Sequence, residues 1–390
     1  MHFGSEQGIF FRIPVKRHNM AGSGKRFAGI AIGFLCILTI FGVCRSVAGP
    51  VFKDADINRV LVFPRDHGRH SDFETEWWYF TGNLESPDNK WGFQLTFFRR
   101  SLLCQRPSLN SSWAVRDVYP AHFALTDITN GRFYQTELVS REGPGLAGAS
   151  EDDLRVRVRD WVAEWRGGEI HIRARQNGYS LDLRLRPEKE KVLHGQGGYS
   201  RKGETAGQAS HYYSFTRLRA EGILTFGGKA STVSGLAWMD HEFGSGILLP
   251  HQTGWDWFSL QFDDGTEVMV FHMSHKDGSF GRPFGTFVPA EGDPVDLAGK
   301  EISISAKGSW LSPHTRTRYP SGWTIDIPEM KISLKIEPLF DDQELVTAKS
   351  TQIIYWEGAV EVKGVREGKP VRGKGYVELT GYAHPMAGSI

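Results

Sequence analysis

Apolar and charged residues alternate with a period of two along Leu154-Arg-Val-Arg-Val-Arg159, Glu169-Ile-His-Ile-Arg173 and Ser180-Leu-Asp-Leu-Arg-Leu-Arg186. Successive side chains on a strand point to opposite faces. The pattern therefore predicts half-buried antiparallel strands with the arginines on a solvated outer face. A second kind of strand is apolar on both faces. Thr75-Glu-Trp-Trp-Tyr-Phe-Thr-Gly-Asn-Leu84 and Trp91-Gly-Phe-Gln-Leu-Thr-Phe-Phe-Arg99 flank Ser86-Pro-Asp-Asn-Lys90, which has the composition of a turn. Further strands are predicted over Tyr119 to Ile128, Gly131 to Gln135, Glu301 to Ala306, Gly322 to Ile327, Lys331 to Ile336 and Ile353 to Val362. No segment carries a convincing long amphipathic helix, so the chain reads as all-β.

The aromatic hairpin recurs. Thr75-Glu-Trp-Trp-Tyr-Phe80 lines up with Thr253-Gly-Trp-Asp-Trp-Phe258, and Leu260 to Phe271 completes a second hairpin around Asp264-Gly265. A closing pair recurs too, in Glu221 to Asp240 and again in Glu357 to Glu378. It sets Gly235 against Gly373, Trp238 against Tyr376 and Asp240 against Glu378. The same order of elements twice over predicts two divergent copies of one β-domain, residues 50–245 and 246–390. The junction falls in Gly244 to Gly254. His194 to Ser210 is Gly-rich and polar and reads as a loop at a barrel mouth.

Residues 1–49 differ from the rest. A basic stretch precedes Phe27 to Val43, an apolar run without a charge, and Ser46-Val-Ala48 has the small residues of a signal-peptidase site. The run is as long as the shortest membrane-spanning helices. Two readings stay open: a cleaved signal peptide, or an anchor in the inner membrane formed by residues 27–44. Either way the body is expected in the periplasm or outside the cell.

The 390 residues carry a formal charge of +1, which offers no electrostatic footprint for nucleic acid. Twelve Trp and 25 Phe suit sheet packing or an apolar cavity. Of the three Cys, Cys36 and Cys44 lie in the N-terminal run. Cys104 stands alone and reads as a small apolar residue, so no disulfide framework or thiolate cluster is expected. The histidine spacings match no zinc signature, and neither a metal nor another cofactor is expected. No Gly-x-Ser-x-Gly elbow suggests a serine hydrolase.

The densest polar constellation is Trp238-Met-Asp-His-Glu-Phe243. On a strand Trp238, Asp240 and Glu242 share one face. Two carboxyls beside a Trp could share a poorly solvated site, where one pKa rises and the group becomes a general acid. Asp240, Glu242 and the intervening His241 are the candidate catalytic residues. Glu76 sits among Trp77, Trp78 and Tyr79, where an unpaired carboxylate is expensive. It either pairs with an arginine or lines the ligand cavity. Trp238, Trp255, Trp257 and Tyr212 complete the candidate ligand-binding set.

Phe63-Pro-Arg-Asp-His-Gly68, Thr75-Glu-Trp-Trp-Tyr79, Ser200-Arg-Lys-Gly203, Tyr212-Tyr-Ser214, Trp238-Met-Asp-His-Glu242, Gly254-Trp-Asp-Trp-Phe258, Arg318 to Trp323, Asp342-Gln-Glu-Leu345 and Tyr355-Trp-Glu-Gly358 together resemble the lipocalin-like carotenoid 1,2-hydratase/AttH family. The resemblance covers about residues 60–383. It implies two tandem lipocalin-like antiparallel β-barrel domains with the functional cavity near their junction. It also implies a hydrophobic, isoprenoid or lipid-like ligand. The hydratases add water to a terminal alkene, a carboxylic acid protonating it while aromatic faces shield the cation. They carry a Tyr-x-Asp near where this chain has Phe271-His-Met273, so Asp240 or Glu242 would have to supply the acid here, for hydration or hydrolysis of such a ligand. Many such proteins resemble companions of a membrane ABC transporter. The alternative implied is thus a lipid-binding protein without chemistry. The oligomeric state is not legible.

Overall fold

The computed structural model describes residues 52–102, 115–203, 208–246, 248–298 and 300–386. The N-terminal segment read as a signal or anchor, and Cys104, lie outside the described residues. Residues 50–390 form one compact unit built from two large curled antiparallel sheets.

The first sheet curls into a nearly closed barrel. Its opening strand, Thr75–Glu85, pairs on one side with Lys90–Ser101 and on the other with the closing strand, Lys229–Gly244. Outward from the opening strand run Asp117–Asp127 and Arg132–Arg141. Outward from the closing strand run Ala209–Phe226, Tyr179–Pro187, Glu169–Gln176 and Trp161–Arg166. The second sheet repeats this order as a half-barrel. Its opening strand, Gln252–Phe262, lies between Glu267–His275 and the closing strand, Lys369–Leu379. Beyond these come Phe284–Val288 on one side, and Ile354–Arg366, Ile332–Pro338, Trp323–Ile327 and Ser303–Ala306 on the other. Both sheets are thus lipocalin-like β-barrels in tandem, one more open than the other.

The pairing register is also shared. Thr81 faces Trp238 across the first opening and closing strands, as Ser259 faces Tyr376 in the second. Gly235 and Gly373 occupy one place in the two registers. A Cβ on Gly235 would come within 2.0 Å of the Asn83 carbonyl, and one on Gly373 within 2.1 Å of the Gln261 carbonyl. Only glycine lets the paired backbones approach so closely there.

The alternating segments behave as their pattern dictates. Val156, Val158, Ile170, Ile172, Leu183 and Leu185 are buried, and Arg155, Arg157, Arg173, Arg184 and Arg186 are exposed. The strands at the junction are different, because both of their faces are covered. Trp78, Phe80, Met239 and Phe243 fill the first barrel. Phe258, Leu260, Trp323 and Trp356 fill the second. The opposite faces of the same strands meet each other, and Tyr79, Tyr212, Trp238, Trp257, Phe271 and Tyr376 form a third core between the barrels. Hydrogen bonds tie this seam: Gln261 Nε2 donates to the Ala237 and Thr216 carbonyls at 3.0 and 2.7 Å. At its edge Lys189 and Arg217 of the first barrel both pair with the buried Glu267 of the second.

Glu76 faces inward, into the first barrel, and lines no ligand cavity. Its carboxylate accepts from Arg99 Nε at 2.9 Å, from the His70 backbone at 2.9 Å, and contacts His70 Nδ1 at 2.7 Å and His241 Nε2 at 2.8 Å. Arg99 also pairs with Asp117 at 3.2 Å and donates to the His70 and Phe73 carbonyls. His241 and Trp78 belong to this interior, their rings stacked 4.9 Å apart. The ligating atoms of His70, Glu76 and His241 lie within 4.8 Å of one another. Each is engaged in the hydrogen bonds just given, with a guanidinium on the same carboxylate. The arrangement is that of a buried ion network.

Removing one partner of such a network leaves an uncompensated buried charge. Arg99→Leu is expected to lower unfolding free energy by about 3–5 kcal/mol, read from urea midpoints. A loss below about 1 kcal/mol, the scale of an exposed pair, would show that Arg99 does not hold the barrel mouth.

Candidate functional site

The third core encloses a narrow cavity between the barrels. Each wall comes from a face set by strand alternation. The first opening strand contributes Trp77 and Tyr79, the first closing strand Asp240 and Glu242, and the second opening strand Trp255 and Trp257. Tyr212 joins them. The cavity also takes Glu378 from the second closing strand, Phe271 and Met273 from the strand beside it, and Lys202, Phe98, His122 and Tyr355 from the rim.

Seven of the residues singled out from sequence thus meet in one hollow. Trp238 lies just beneath it and donates its indole N–H to Asp240 at 2.6 Å. Glu76, Trp78 and His241 do not join them. Each is one residue out of phase with a cavity residue, so the pleat turns it into the first barrel. His241 therefore faces away from Asp240 and Glu242, toward Glu76 and Tyr213.

Four buried carboxyls surround the cavity, and their partners differ. Glu242 is ion-paired with Lys202 Nζ at 2.7 Å and accepts from Ser210. Lys202 Nζ also lies 4.2 Å from the Phe271 ring centroid. Asp240 accepts only from neutral donors: Trp238, Ser214, and the Tyr212 hydroxyl at 2.9 Å. Trp257 Nε1 donates to that same hydroxyl at 3.1 Å, which fixes its orientation. Glu378 accepts from Trp255 Nε1 at 2.8 Å. Glu357 accepts from Tyr79 at 2.6 Å, and its second oxygen is buried without a partner among the described residues.

Burial penalises the charged form of a carboxyl that has no cation beside it. Burial raises Asp240 from its ordinary 3.8 to about 7, against the pull of its hydrogen-bond donors. Burial likewise raises Glu378 to about 7, with the charges of Asp240 and Glu242 adding to it. Glu357 is held well above its ordinary value by burial and by Glu378. Near neutrality the hollow therefore holds carboxylic acids that can give up a proton, alongside Glu242 on its lysine. Three indoles, of Trp77, Trp255 and Trp257, line the same hollow, and a π-face attracts developing positive charge.

Sequence reading missed Glu378, Glu357, Lys202, Phe271, Met273, His122 and Tyr355 as site residues. A signal existed for four, since Tyr355 opens one of the motifs quoted above. Glu378 aligns with Asp240 in the repeat, and Lys202 and Glu357 lie in two of the motifs quoted above. Phe271 and Met273 had been read only as the place where an expected acid is missing. The cavity wall is indeed apolar there, while His272 turns away toward Asp256, 3.3 Å distant.

The raised carboxyls carry a stability signature. The folded chain keeps protons that the unfolded chain releases above pH 3.8. Stability from Asp240 is thus fully present below that pH and is lost as pH rises toward 7. Asp240→Asn is expected to flatten the decline of unfolding free energy between about pH 4 and 7, by of order 3 kcal/mol. Parallel urea titrations of the two proteins test it. Identical slopes would mean that Asp240 is ionised throughout.

Known proteins share this architecture. An AttH protein of Nitrosomonas europaea, solved as a crystal structure, is 35% identical; the match covers 85% of this chain and all of that one, with a TM-score of 0.77. Kievitone hydratase of Nectria haematococca is 17% identical over 86% of this chain and 97% of its own, with a TM-score of 0.64. The dehydratase asqC of Emericella nidulans is 20% identical over 253 residues, which are 61% of this chain and 65% of that protein's length. The AttH-like family model matches residues 54–382, and the chain belongs to that family.

Proposed function

We propose that the junction cavity performs acid-assisted addition of water to a carbon–carbon double bond of an apolar ligand, or the reverse elimination. The observation that carries this reading is the placing of Asp240 and Glu378, raised by burial, in one aromatic-walled hollow. The names of a hydratase and a dehydratase among the similar proteins support the same class of chemistry.

In the forward direction a protonated carboxyl, from Asp240 or Glu378, gives its proton to one alkene carbon. The other carbon becomes cationic, shielded by the Trp77, Trp255 and Trp257 faces. Water attacks that carbon, and a carboxylate takes the water's surplus proton, so that acid and hydroxyl are both accounted for. Glu242 is placed to take it. It stands two residues from Asp240 on one strand face, about 7 Å along the chain, and is ion-paired with Lys202. The cavity measures about 70 Å³, small beside typical ligand pockets. It accepts the reacting end of a longer apolar molecule rather than the whole of one.

Exported placement and partnership with a membrane transporter belong to this reading as proposals. The signal or anchor reading of residues 1–49 and the lipid-like ligand motivate both. A periplasmic fraction empty of the protein would remove them.

The test uses a panel of terminal alkenes and the matching tertiary alcohols, incubated with the protein in water enriched in oxygen-18. Label in the product alcohol, lost in Asp240→Asn or Glu378→Gln with the fold retained, is the expected result. An apolar ligand that co-purifies, identified by mass spectrometry, but is never converted would replace catalysis with binding. The rate is further expected to fall above about pH 7, as the raised carboxyls release their protons. A rate that rises through that pH would assign the acid elsewhere.

A further inference from the structure

One side of the junction cavity carries a row of polar groups that the proposed chemistry leaves unused. His122 and Tyr355 line the cavity there, His122 from the first barrel and Tyr355 from the second. Behind them stand Glu137 and Ser350. Glu137 faces His122 across the paired strands Asp117–Asp127 and Arg132–Arg141. Ser350 comes from the turn 348–351 of the second barrel and bonds to both. The row is therefore assembled only when the barrels dock.

The direction of each hydrogen bond in the row is fixed from its outer end. The Glu137 carboxyl accepts the backbone N–H of Lys349 at 3.0 Å and that of Ser350 at 2.8 Å, two donors that cannot reverse. Ser350 Oγ lies 2.5 Å from the same carboxyl and gives it its one hydrogen. Ser350 Oγ can then only accept from His122 Nε2, 2.9 Å away. Burial lowers the His122 pKa from 6.5 to about 3, so the ring is neutral and carries a single proton. With that proton on Nε2, Nδ1 is bare and takes the Tyr355 hydroxyl hydrogen at 2.8 Å. The Tyr355 oxygen is thereby left as an acceptor. Among the described residues the one other donor near it is Gln94 Nε2, 3.5 Å away, at the limit of a hydrogen bond.

We propose that the Tyr355 oxygen is a specificity determinant of the junction cavity, held as a hydrogen-bond acceptor so that it favours an apolar ligand bearing a hydroxyl group. Glu137 is the positioning residue, acting through Ser350 and His122 without touching the ligand. The inference rests on the cavity being the ligand site and names a feature of that ligand. The carboxyls of the cavity accept hydrogen bonds too. What singles out Tyr355 is its dependence on Glu137, which is not part of the cavity wall. Glu137→Gln reverses the row. The new amide N–H donates to Ser350 Oγ, Ser350 donates to His122 Nε2, and the ring proton moves to Nδ1. Tyr355 then accepts from the ring and turns its own hydrogen toward the cavity.

The test uses the full chain, labelled with nitrogen-15 in its histidine rings, with prenol and its methyl ether as probes. The His122 ring signals are assigned by their loss in His122→Gln, or by their response to Ser350→Ala if that variant does not fold. They are expected to report the proton on Nε2 in the parent protein and on Nδ1 in Glu137→Gln. Prenol is expected to bind the parent about tenfold more tightly than the ether, which leaves the acceptor unpaired. That preference is expected to vanish in Tyr355→Phe and to reverse in Glu137→Gln. A parent ring protonated on Nδ1 would overturn the proposal. So would equal affinities for the two probes, no binding of either, or a preference that survives Tyr355→Phe or Glu137→Gln. Binding is read without turnover, so a chain that selects prenol but incorporates no oxygen-18 refutes the hydration reading and leaves this one standing.

Discussion

A carboxyl shut away from water must be met by a cation or keep its proton, and this molecule uses both solutions side by side. Glu76 meets Arg99, Glu267 meets Lys189 and Arg217, and Glu242 meets Lys202. Asp240, Glu357 and Glu378 have no cation within ion-pair distance among the described residues and are held by neutral donors alone. Glu76 and Glu267 make rigid structure, and Glu242 brings an ion pair into the cavity wall. The unpaired group makes latent acid. Glu76 sits inside the first barrel, Glu267 at the seam's edge and Glu242 in the cavity wall, while the unpaired acids line or underlie that same cavity.

That location is a consequence of two-faced burial. An isolated barrel would expose the outer faces of its opening and closing strands. Here Trp77, Tyr79, Trp255 and Trp257 occupy those outer faces and would be an apolar patch on either barrel alone. Docking the barrels covers it. The hydrogen bonds from Gln261 and Tyr79, which cross from one barrel to the other, make the docked geometry specific. The same docking that hides the indoles strips water from Asp240 and Glu378. Fold stability and acid strength are thereby coupled, since any loosening of the seam would rehydrate the carboxyls and lower their pKa values.

Much of this was legible in the chain. Alternation identified the outer strands of the first barrel, and the aromatic echoes identified the two opening hairpins. Period two also placed Trp238, Asp240 and Glu242 together correctly, with Met239 and Phe243 opposite. What it could not supply was the identity of each face. Trp77 and Trp78 are equally apolar, and when both faces of a strand are buried nothing in the sequence says which one meets the partner barrel. Glu76 and Trp78 were grouped with the cavity for that reason. Lys202 was hidden for another. It rises from the Gly-rich loop 194–210, and a loop's reach is set by tertiary contacts that no local pattern encodes.

The two cavity acids without a cation have a simple origin in the repeat. Asp240 and Glu378 occupy one register position in the two closing strands, Asp240 facing Tyr79 and Glu378 facing Trp257 across each opening strand. When two such sheets meet by the faces of these strands, the repeated position is presented from both sides of a single hollow. One sequence feature, an acid at the fifth residue after the close-approach glycine in each copy, then yields two carboxyls in one site. The apolar Phe271 and Met273 fit this account. With acids delivered from both closing strands, the neighbouring strand is free to furnish an apolar wall.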